Sequence, residues 1–559
     1  MLSLAMPHTQ LELDTIIIGS GAGGLSAAIC LARAGQKVLV LEQHYVPGGW
    51  CHSFTLNGQR FSPGVHYIGL LNEGQATSDL YKGLGIANDL VFFRMNTNAF
   101  EHCIIGSEKF DIPAGLSNFA DTLGKRFPDS AKQIKSYLTL VEKVNAQMQM
   151  MPKIKGFKQI ITAPFKTKDF VHNAFFSLKK IVNRHVKDPM VQAVLNVQCG
   201  DHGLPPAKAS FIVHSSVMGH YSDGGFYPMG GGSGIVKAMT NSLKRYGGQV
   251  KVSSRVNKIV VENNTATGVE LEGGQIIKAK RVISNADPSI TYLDLVGREH
   301  LSKKLLKRLD ATKYSVTSLI LFLTLDMDVT AAGMDSGNNW IFRDADVDAQ
   351  FNELITKDLT EGDEFPALFM SCTTLKDPVS YNGRYHNFEL VTYTEYDSLS
   401  GFKDEGDYHS PEYAAFKEKV IAKFMNTAER MIPGAKQHVI QAELGTPKTN
   451  QFYVNSTNGN VYGTEKTLKY VGPFAYKNKA EINNLYLSGA STLSHGVAGA
   501  TYSGIETAAK ILGCKRDDLL VTDENQKIRI FDAEDPTSWP EWVHKKREDK
   551  IRTFKEVVL

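Results

Sequence analysis

The sequence predicts an α/β chain in which a discontinuous sheet domain is interrupted by an inserted, mixed α+β domain. Three observations carry this. The β-branched run Thr15-Ile16-Ile17-Ile18 leads into Gly19-Ser20-Gly21-Ala22-Gly23-Gly24 and an Ala- and Leu-rich stretch. A second apolar run, Val38-Leu39-Val40-Leu41, ends at Glu42. Far along the chain, Leu485-Tyr486-Leu487-Ser488 again precedes glycines, at Gly489, Gly496 and Gly499.

Taken in order, the first run is short and β-branched, as a strand buried on both faces requires. Leu25 to Ala34 reads as a helix stopped by Gly35, and Lys37 to Leu41 as the next strand. Residues 76–225 read mostly as helices with polar connections. Residues 249–285 read as β-rich: Gln249 to Ser253, Val256 to Glu262, Gly268 to Leu271 and Val282-Ile283, with Asn263-Asn264 as a turn. From 300 to 470 strands such as Ser318 to Leu325 mix with helices such as Pro411 to Met431. The last strand and glycine turn lead to a helix from about Tyr502 to Leu512, and 515–559 form a charged tail with Trp539 and Trp542. The expected sheet domain is therefore 12–75, 226–300 and 470–514. The inserted domain is 76–225 and 301–469, and 515–559 is an extension.

Composition removes several classes. The 559 residues include 62 Lys+Arg and 59 Asp+Glu, a net charge of +3, so the global basic footprint of a nucleic-acid binder is missing. With 42% hydrophobic and 22% charged residues the chain is not disordered in bulk. Its six cysteines are scattered, without a Cys-x-x-Cys pair, which argues against a structural metal and for buried thiols in a reducing compartment. No metal site is expected. No apolar run reaches the ~20 residues of a membrane span, and Met1 to Asp14 lack the pattern of a secretory signal. The expected location is intracellular, cytoplasmic or peripheral to a membrane.

The glycine motif has a physical task. Gly19 permits the tight turn out of the strand, Gly21 lets backbone approach a pyrophosphate, and Gly24 lets the helix pack on the strand. The helix N-terminus then offers N–H groups and a positive dipole end to the phosphates. Glu42, 18 residues after Gly24, is placed to accept from ribose hydroxyls and to repel a 2′-phosphate, favouring FAD or NAD over NADP. Gln43 to Gly49, with Gly48 and Gly49, adds a second flexible turn suited to a longer dinucleotide. At the other end, Gly489, Gly499 and Ala500 lie where a helix N-terminus could stabilise negative charge on a reduced flavin. A Rossmann-like FAD domain is the expectation, with Ser20, Ala22 and Gly23 also in the binding turn. Helix capping is the alternative reading of the C-terminal glycines.

With these residues on the page, the chain resembles the carotenoid isomerase and phytoene desaturase-related flavoproteins, a family that includes the retinol saturases. The likeness rests on Gly19 to Glu42, Pro47-Gly48-Gly49, Phe61-Ser62-Pro63-Gly64-Val65-His66-Tyr67-Ile68-Gly69, and Cys199-Gly200-Asp201-His202-Gly203-Leu204-Pro205-Pro206. It continues through His214, His220-Tyr221, Gly224 to Gly231, Asn285-Ala286 and His495 to Gly504, in patches over about 12 to 514. Ala498 stands where that family usually has Pro, a change expected to loosen the turn. The resemblance implies FAD, a backbone contact from Val256 to its adenine side, and an apolar tunnel in the inserted domain.

The implied chemistry is reduction of a C=C bond in a retinoid-like or other polyene lipid. Flavin-dependent carotenoid isomerisation or desaturation is the alternative, and a lipid-binding flavoprotein without turnover is a second. Saturating a double bond takes a hydride on one carbon and a proton on the other, so a proton donor is needed. His66, Tyr67, His214 and Tyr227 are the weak candidates, each also readable as a packed side chain. Gly230 to Gly234 follow no strand and make no nicotinamide motif, so electrons come from a transient NAD or NADP or from another donor. Between 153 and 187 stand nine Lys/Arg against one acid, Asp169, interleaved with Phe157, Phe165, Phe170, Phe175 and Phe176. That pattern suits the surface of an anionic bilayer, or equally a solvated basic face.

Overall fold

A computed structural model describes residues 13–150, 166–402, 409–521 and 523–558. The chain forms two compact units. The first takes the residues up to Gly49, Met239–Thr312 and Tyr476–Val521; the second takes Trp50–Ala238, Lys313–Ala475 and the residues from Thr522 on.

The first unit is built on a seven-stranded sheet. Its parallel part runs Leu485–Leu487, Ile276–Ser284, Leu13–Ile18 (β1), Val38–Leu41 (β2) and Gln249–Lys251. The nine-residue strand Ile276–Ser284 serves two partners on one side. Its start pairs antiparallel with Thr265–Leu271, and its end pairs parallel with Leu485–Leu487. Ile17 sits opposite both Ile283 and Val40, and all three are fully buried. Parallel strands covered on both faces explain why these runs are apolar without alternation.

The helix Ala22–Arg33 (α1) ends at Gly35, whose φ of +86° lets its N–H return to the Ala32 carbonyl. Along its length α1 packs on the helix Gly496–Leu512 with almost no side chain between. A Cβ on Gly504 would lie 2.0 Å from the Gly23 carbonyl oxygen, and Ser26 Oγ donates to the Thr501 carbonyl at 2.8 Å. This second helix begins at Gly496, six residues before the expected Tyr502. Gly499 and Ala500 are therefore helical, and the turn proper is 489–495. Ala498 is also helical, so its replacement of Pro leaves the turn intact.

The second unit centres on another seven-stranded sheet: Val439–Gly445, Thr317–Leu325, His386–Thr394, Ala367–Cys372, Asn338–Phe342, Glu101–Ile105 and Glu108–Ile112. All neighbours are antiparallel except Asn338–Phe342 and Glu101–Ile105. Helices including Leu116–Arg126, Ala131–Met150 and Phe211–His220 belong to the same unit.

Three expectations are corrected. The stretch 76–225, read as mostly helical, also holds the strands Val91–Arg94, Glu101–Ile105 and Glu108–Ile112; the first two are buried almost throughout and lack the in-and-out alternation of a half-buried strand, and the third is only five residues long. Residues 50–75 and 226–238, assigned to the sheet domain, belong to the second unit. Phe226–Pro228 pairs with Val91–Arg94, and Phe54 and Phe61 pack edge-on against Phe322 of the large sheet. The tail is not a free extension. Arg529–Asp532 adds a parallel strand to Val91–Arg94, and Trp539 packs edge-on against Phe93.

Cysteines Cys30, Cys51, Cys103, Cys199 and Cys372 are buried, whereas Cys514 is exposed. Among the described residues no helix is long and apolar enough to cross a membrane. Of the basic stretch, Lys153, Lys155, Phe157, Lys158 and Phe165 lie outside the described residues. Lys179 pairs with Asp348 at 2.8 Å, and Lys180 and Arg184 lie over the Phe176 ring, while Phe175 is 72% exposed.

Candidate functional site

In the first unit, glycine chemistry shapes a cradle where β1 gives way to α1. Gly19 has a φ of +89°, open to few residues other than glycine. A Cβ on Gly24 would sit 2.2 Å from the Gly19 carbonyl oxygen, which measures how closely the helix rests on the strand. A Cβ on Gly21 would meet Asn285 Nδ2 at 2.6 Å, and one on Gly23 would meet Asn285 Oδ1 at 2.6 Å and the Ala500 carbonyl and Gly489 N–H at 3.0 Å. Gly21 is the N-cap of α1 and supplies no side-chain cap, so the first-turn N–H groups are left for another acceptor. Ala22 opens the helix and is buried.

Glu42 closes the cradle from the end of β2. It is only 6% exposed. Its Oε2 accepts from Ser20 N–H at 2.9 Å and Ser20 Oγ–H at 2.6 Å, and its Oε1 accepts from His44 N–H at 2.9 Å. Ser20 Oγ in turn accepts from Gly48 N–H at 2.9 Å, so the second turn is pinned to the first. A Cβ on Gly49 would be 3.4 Å from Gly21 Cα. Gln43 is half-buried beside Glu42. Val256 begins its strand two residues after Ser254, whose N–H donates to the Glu42 carbonyl. Gly489, at φ +104°, donates its N–H to Ser503 Oγ at 2.9 Å. The structure thus gathers the glycines, Glu42, Gly489 and Ala500 in one place. Gly499, in the first turn of its helix, instead makes room for the preceding loop, since a Cβ there would meet Ser494 at 2.8 Å. Asn285 is the residue the motif missed. Its carboxamide fills the space the glycines leave, held by Ser488 Oγ at 3.1 Å. Its signal was an Asn directly after a buried strand end.

A dinucleotide fits this cradle on three counts: glycines that exclude any Cβ, an uncapped helix N-terminus, and a buried carboxylate at the end of the next strand.

The second unit collects ionisable side chains. Glu101 is fully buried and accepts three hydrogen bonds: Tyr67 Oη at 2.5 Å and Trp340 Nε1 at 2.9 Å to Oε1, and Gln198 Nε2 at 2.8 Å to Oε2. Tyr67 Oη also lies 2.7 Å from Asp201 Oδ2, and its ring stacks on Tyr221 at 4.0 Å. Burial, opposed by these hydrogen bonds, raises Glu101 to about 7. Burial first, and the Glu101 charge second, hold Asp201 well above the carboxylate range.

A second cluster surrounds Lys376. Its Nζ is fully buried and donates to the His66 carbonyl at 2.6 Å, to Asn338 Oδ1 at 3.0 Å and to Ser371 Oγ, and burial lowers it to about 7. His66 Nδ1 lies 3.1 Å from Glu389 Oε2, and the other Glu389 oxygen accepts from Ser62 N–H at 2.5 Å.

The four candidate donors divide sharply. Tyr67 is central to the first cluster and His66 to the second. Tyr227 lies under Lys376, 4.6 Å from ring centre to Nζ, and burial holds its phenol well above the usual range. His214 is buried against the Leu195 carbonyl at 3.1 Å and is pushed down to about 4 by burial, so it is neutral near pH 7 and is a packing residue. Glu101, Asp201, Lys376 and Glu389 were not read as site residues. A lone acid inside an apolar strand, as in Phe100-Glu101-His102-Cys103-Ile104 and Phe388-Glu389-Leu390-Val391, was the available signal.

Comparison with known proteins follows the geometry. A family model described as flavin containing amine oxidoreductase matches residues 22–512. All-trans-retinol 13,14-reductase from Danio rerio is 29% identical over 526 residues, 90% of this chain and 86% of that protein. Prolycopene isomerase 1 from an Oncidium hybrid cultivar is 26% identical, covering 89% and 84%. A Danio rerio protein named inactive all-trans-retinol 13,14-reductase is also 26% identical, covering 93% and 89%. Among solved structures, a redesigned putrescine oxidase superposes with a TM-score of 0.60 at 16% identity, covering 90% of this chain and 99% of its own. Cyclohexylamine oxidase from Brevibacterium oxydans gives 0.55 at 13%, covering 90% and 100%. These two support the α/β FAD-binding fold with an inserted domain.

Proposed function

The chain belongs to the flavin containing amine oxidoreductase family, and on that premise we propose that this flavin oxidoreductase reduces a C=C bond of a retinoid-like or other polyene lipid. The observation that carries the substrate class is the pair of relatives. Over about nine-tenths of the chain it is similar both to a retinol reductase and to a prolycopene isomerase, and both named compounds are conjugated polyenes.

FAD is the cofactor that the family and the cradle support. We assign its pyrophosphate to the turn Gly19–Gly24 and the α1 N-terminus, its ribose to Glu42, and its flanks to Gly48, Gly49, Val256, Gly489 and Ala500. Bound there, a flavin supplies two-electron hydride chemistry at N5. The chain's part is to hold it, to exclude water and to supply a proton. A transient NAD or NADP is the proposed electron source, checked by mixing holoprotein with each under anaerobic conditions and following flavin bleaching.

The deciding experiment is anaerobic incubation of reduced holoprotein with all-trans-retinol and with a poly-cis carotenoid, with products weighed by mass spectrometry. A gain of two hydrogens supports the reductase, and an unchanged mass with a shifted absorption spectrum supports isomerisation. A loss of two hydrogens from substrate given to oxidised protein supports desaturation. Binding without any change supports a module without turnover, the reading that the relative named inactive favours.

The proposed contact with a bilayer rests on exposed Phe175 and Val171 beside Lys168, Lys180 and Arg184. Flotation with anionic vesicles is expected, and it weakens when Lys180 and Arg184 become Glu. Failure of the wild-type chain to float overturns it.

A further inference from the structure

Asn285 follows directly on the strand Ile276–Ser284, level with the end of its parallel partner β1. Its N–H donates to the Ile18 carbonyl at 2.8 Å, just before the Gly19 turn begins. On the other side, Ser488 N–H donates to the Ser284 carbonyl at 2.9 Å, and Ser488 Oγ donates to Asn285 Oδ1 at 3.1 Å. Two neighbouring strands thus fix both the backbone and the carboxamide of Asn285. The carboxamide enters the space that the glycines leave. A Cβ on Gly23 would lie 2.6 Å from Oδ1, and one on Gly21 would lie 2.6 Å from Nδ2. With Oδ1 engaged by Ser488, Nδ2 is the end beside Gly21, the N-cap of α1. All these residues belong to the first unit.

Nδ2 carries two hydrogens. Among the described residues no group accepts them, and what lies beside Gly21 is the first turn of α1, whose N–H groups have no side-chain cap. Asn285 is half-buried, whereas Val282, Ile283 and Ser284 before it are buried, so its hydrogens are not sealed into the core. Side-chain and backbone donors therefore gather at one point with no acceptor between them, which is the arrangement an anion fills.

We propose that Asn285 Nδ2 donates to the pyrophosphate of the dinucleotide held by the Gly19–Gly24 turn, so that one side chain completes the donor set that the α1 N-terminus opens. This rests on the FAD reading above and adds a residue from outside the glycine motif. A carboxamide suits the position because it accepts from Ser488 at one end and donates at the other. A carboxylate of the same size can only accept, and it would face the phosphates with like charge. Ile18 and Ser488 hold the amide in place, so little ordering is left for the ligand to impose. The same geometry gives Gly21 and Gly23 a second duty. A methyl group on either one would displace the carboxamide as well as hinder the phosphate.

The test needs no turnover. Full-length protein freed of flavin is titrated with FAD at equilibrium. Asn285→Ala removes the donor and is expected to weaken FAD about 10- to 100-fold, as for a lost hydrogen bond to a charged group. Asn285→Asp keeps the volume of the side chain and is expected to weaken FAD further than Asn285→Ala. That order separates donation from packing, because a side chain that only fills space is missed more when it is cut to Ala than when it is replaced at equal size. Wild-type affinity in either variant, or a greater loss in Asn285→Ala than in Asn285→Asp, overturns the donation and leaves the FAD reading intact. A wild-type protein that takes up no FAD overturns the FAD reading and the donation together. Should both variants fail to fold, a crystal structure of the wild-type holoprotein decides. A phosphate oxygen within hydrogen-bond reach of Nδ2, about 2.7–3.2 Å, is expected, and a pyrophosphate bound beyond that reach overturns the proposal.

Discussion

The cradle of the first unit and the clusters of the second use polarity in opposite ways. Around Gly21 and Gly23 the polar groups are mainly backbone, and side chains are kept out because a Cβ would collide with Asn285 or Gly489. The one acid there, Glu42, is fully engaged by Ser20 and His44. Around Tyr67 and Lys376 the polar groups are ionisable side chains drawn into a dry interior, and their proton affinities move as a result. Backbone donors keep their charge state at any pH, which suits holding a phosphate. Displaced side-chain affinities suit moving a proton, since a group that titrates near neutrality can both hold and release one.

Four variants break or sharpen this contrast. Gly24→Val sets carbon 2.2 Å from the Gly19 carbonyl oxygen. Overpacking of that kind costs about 1–3 kcal/mol, so FAD retention is expected to fall about 10- to 100-fold, read from the ratio of flavin to protein absorbance. Flavin retained at the wild-type ratio would break the backbone half of the contrast.

Lys376→Met removes three buried donors and strands their acceptors, at about 1–3 kcal/mol, read by chemical denaturation with flavin content unchanged. It also tests the sign of a pH effect. With its amine lowered from 10.5 to about 7 in the fold, the unfolded chain binds more protons between those limits. Wild-type stability therefore rises with pH across that window, and the variant is expected to lose this rise.

Glu42→Gln keeps the shape of the cradle but gives up charge-assisted hydrogen bonds, so FAD affinity is expected to fall about tenfold, measured by equilibrium titration. Melting is expected to change little. The smallest effect is that of Glu101→Gln. Glu101 rises from 4.5 to about 7 on folding, so its contribution is fully present below 4.5 and is lost as pH rises through about 7. The melting temperature of the wild type is expected to decline across this window more steeply than that of Glu101→Gln.

The same contrast explains what could be read in the sequence. The cradle was legible because Gly19 to Glu42 are neighbours along the chain, and each glycine answers to a local requirement of turn or packing. The strand Leu485–Leu487 was legible for the same reason. The Tyr67 cluster joins residues 67, 101, 198, 201 and 340, which come together only through the pairing of Glu101–Ile105 with Asn338–Phe342. Tyr67 could be singled out from its motif, and an acid inside an apolar run marks Glu101, but nothing local pairs them, because the donors to Glu101 lie 34, 97 and 239 residues away. The tail failed for a related reason. Arg529–Asp532 is short and charged, and only its partner Val91–Arg94 makes it a strand.

The position of that late strand constrains how the protein is made. Ser26 meets Thr501 across 475 residues, and Asn88 meets Gln526 across 438. The early helix of one unit and the early strand of the other therefore emerge from the ribosome long before their covers exist. At about 5–20 residues per second, each waits on the order of half a minute or more with an apolar face or a strand edge uncovered. Neither unit can complete its packing in the order in which it is synthesised. Successful folding should thus depend on chaperone protection of the nascent chain, and truncation before Arg529 should yield aggregate rather than a smaller working protein.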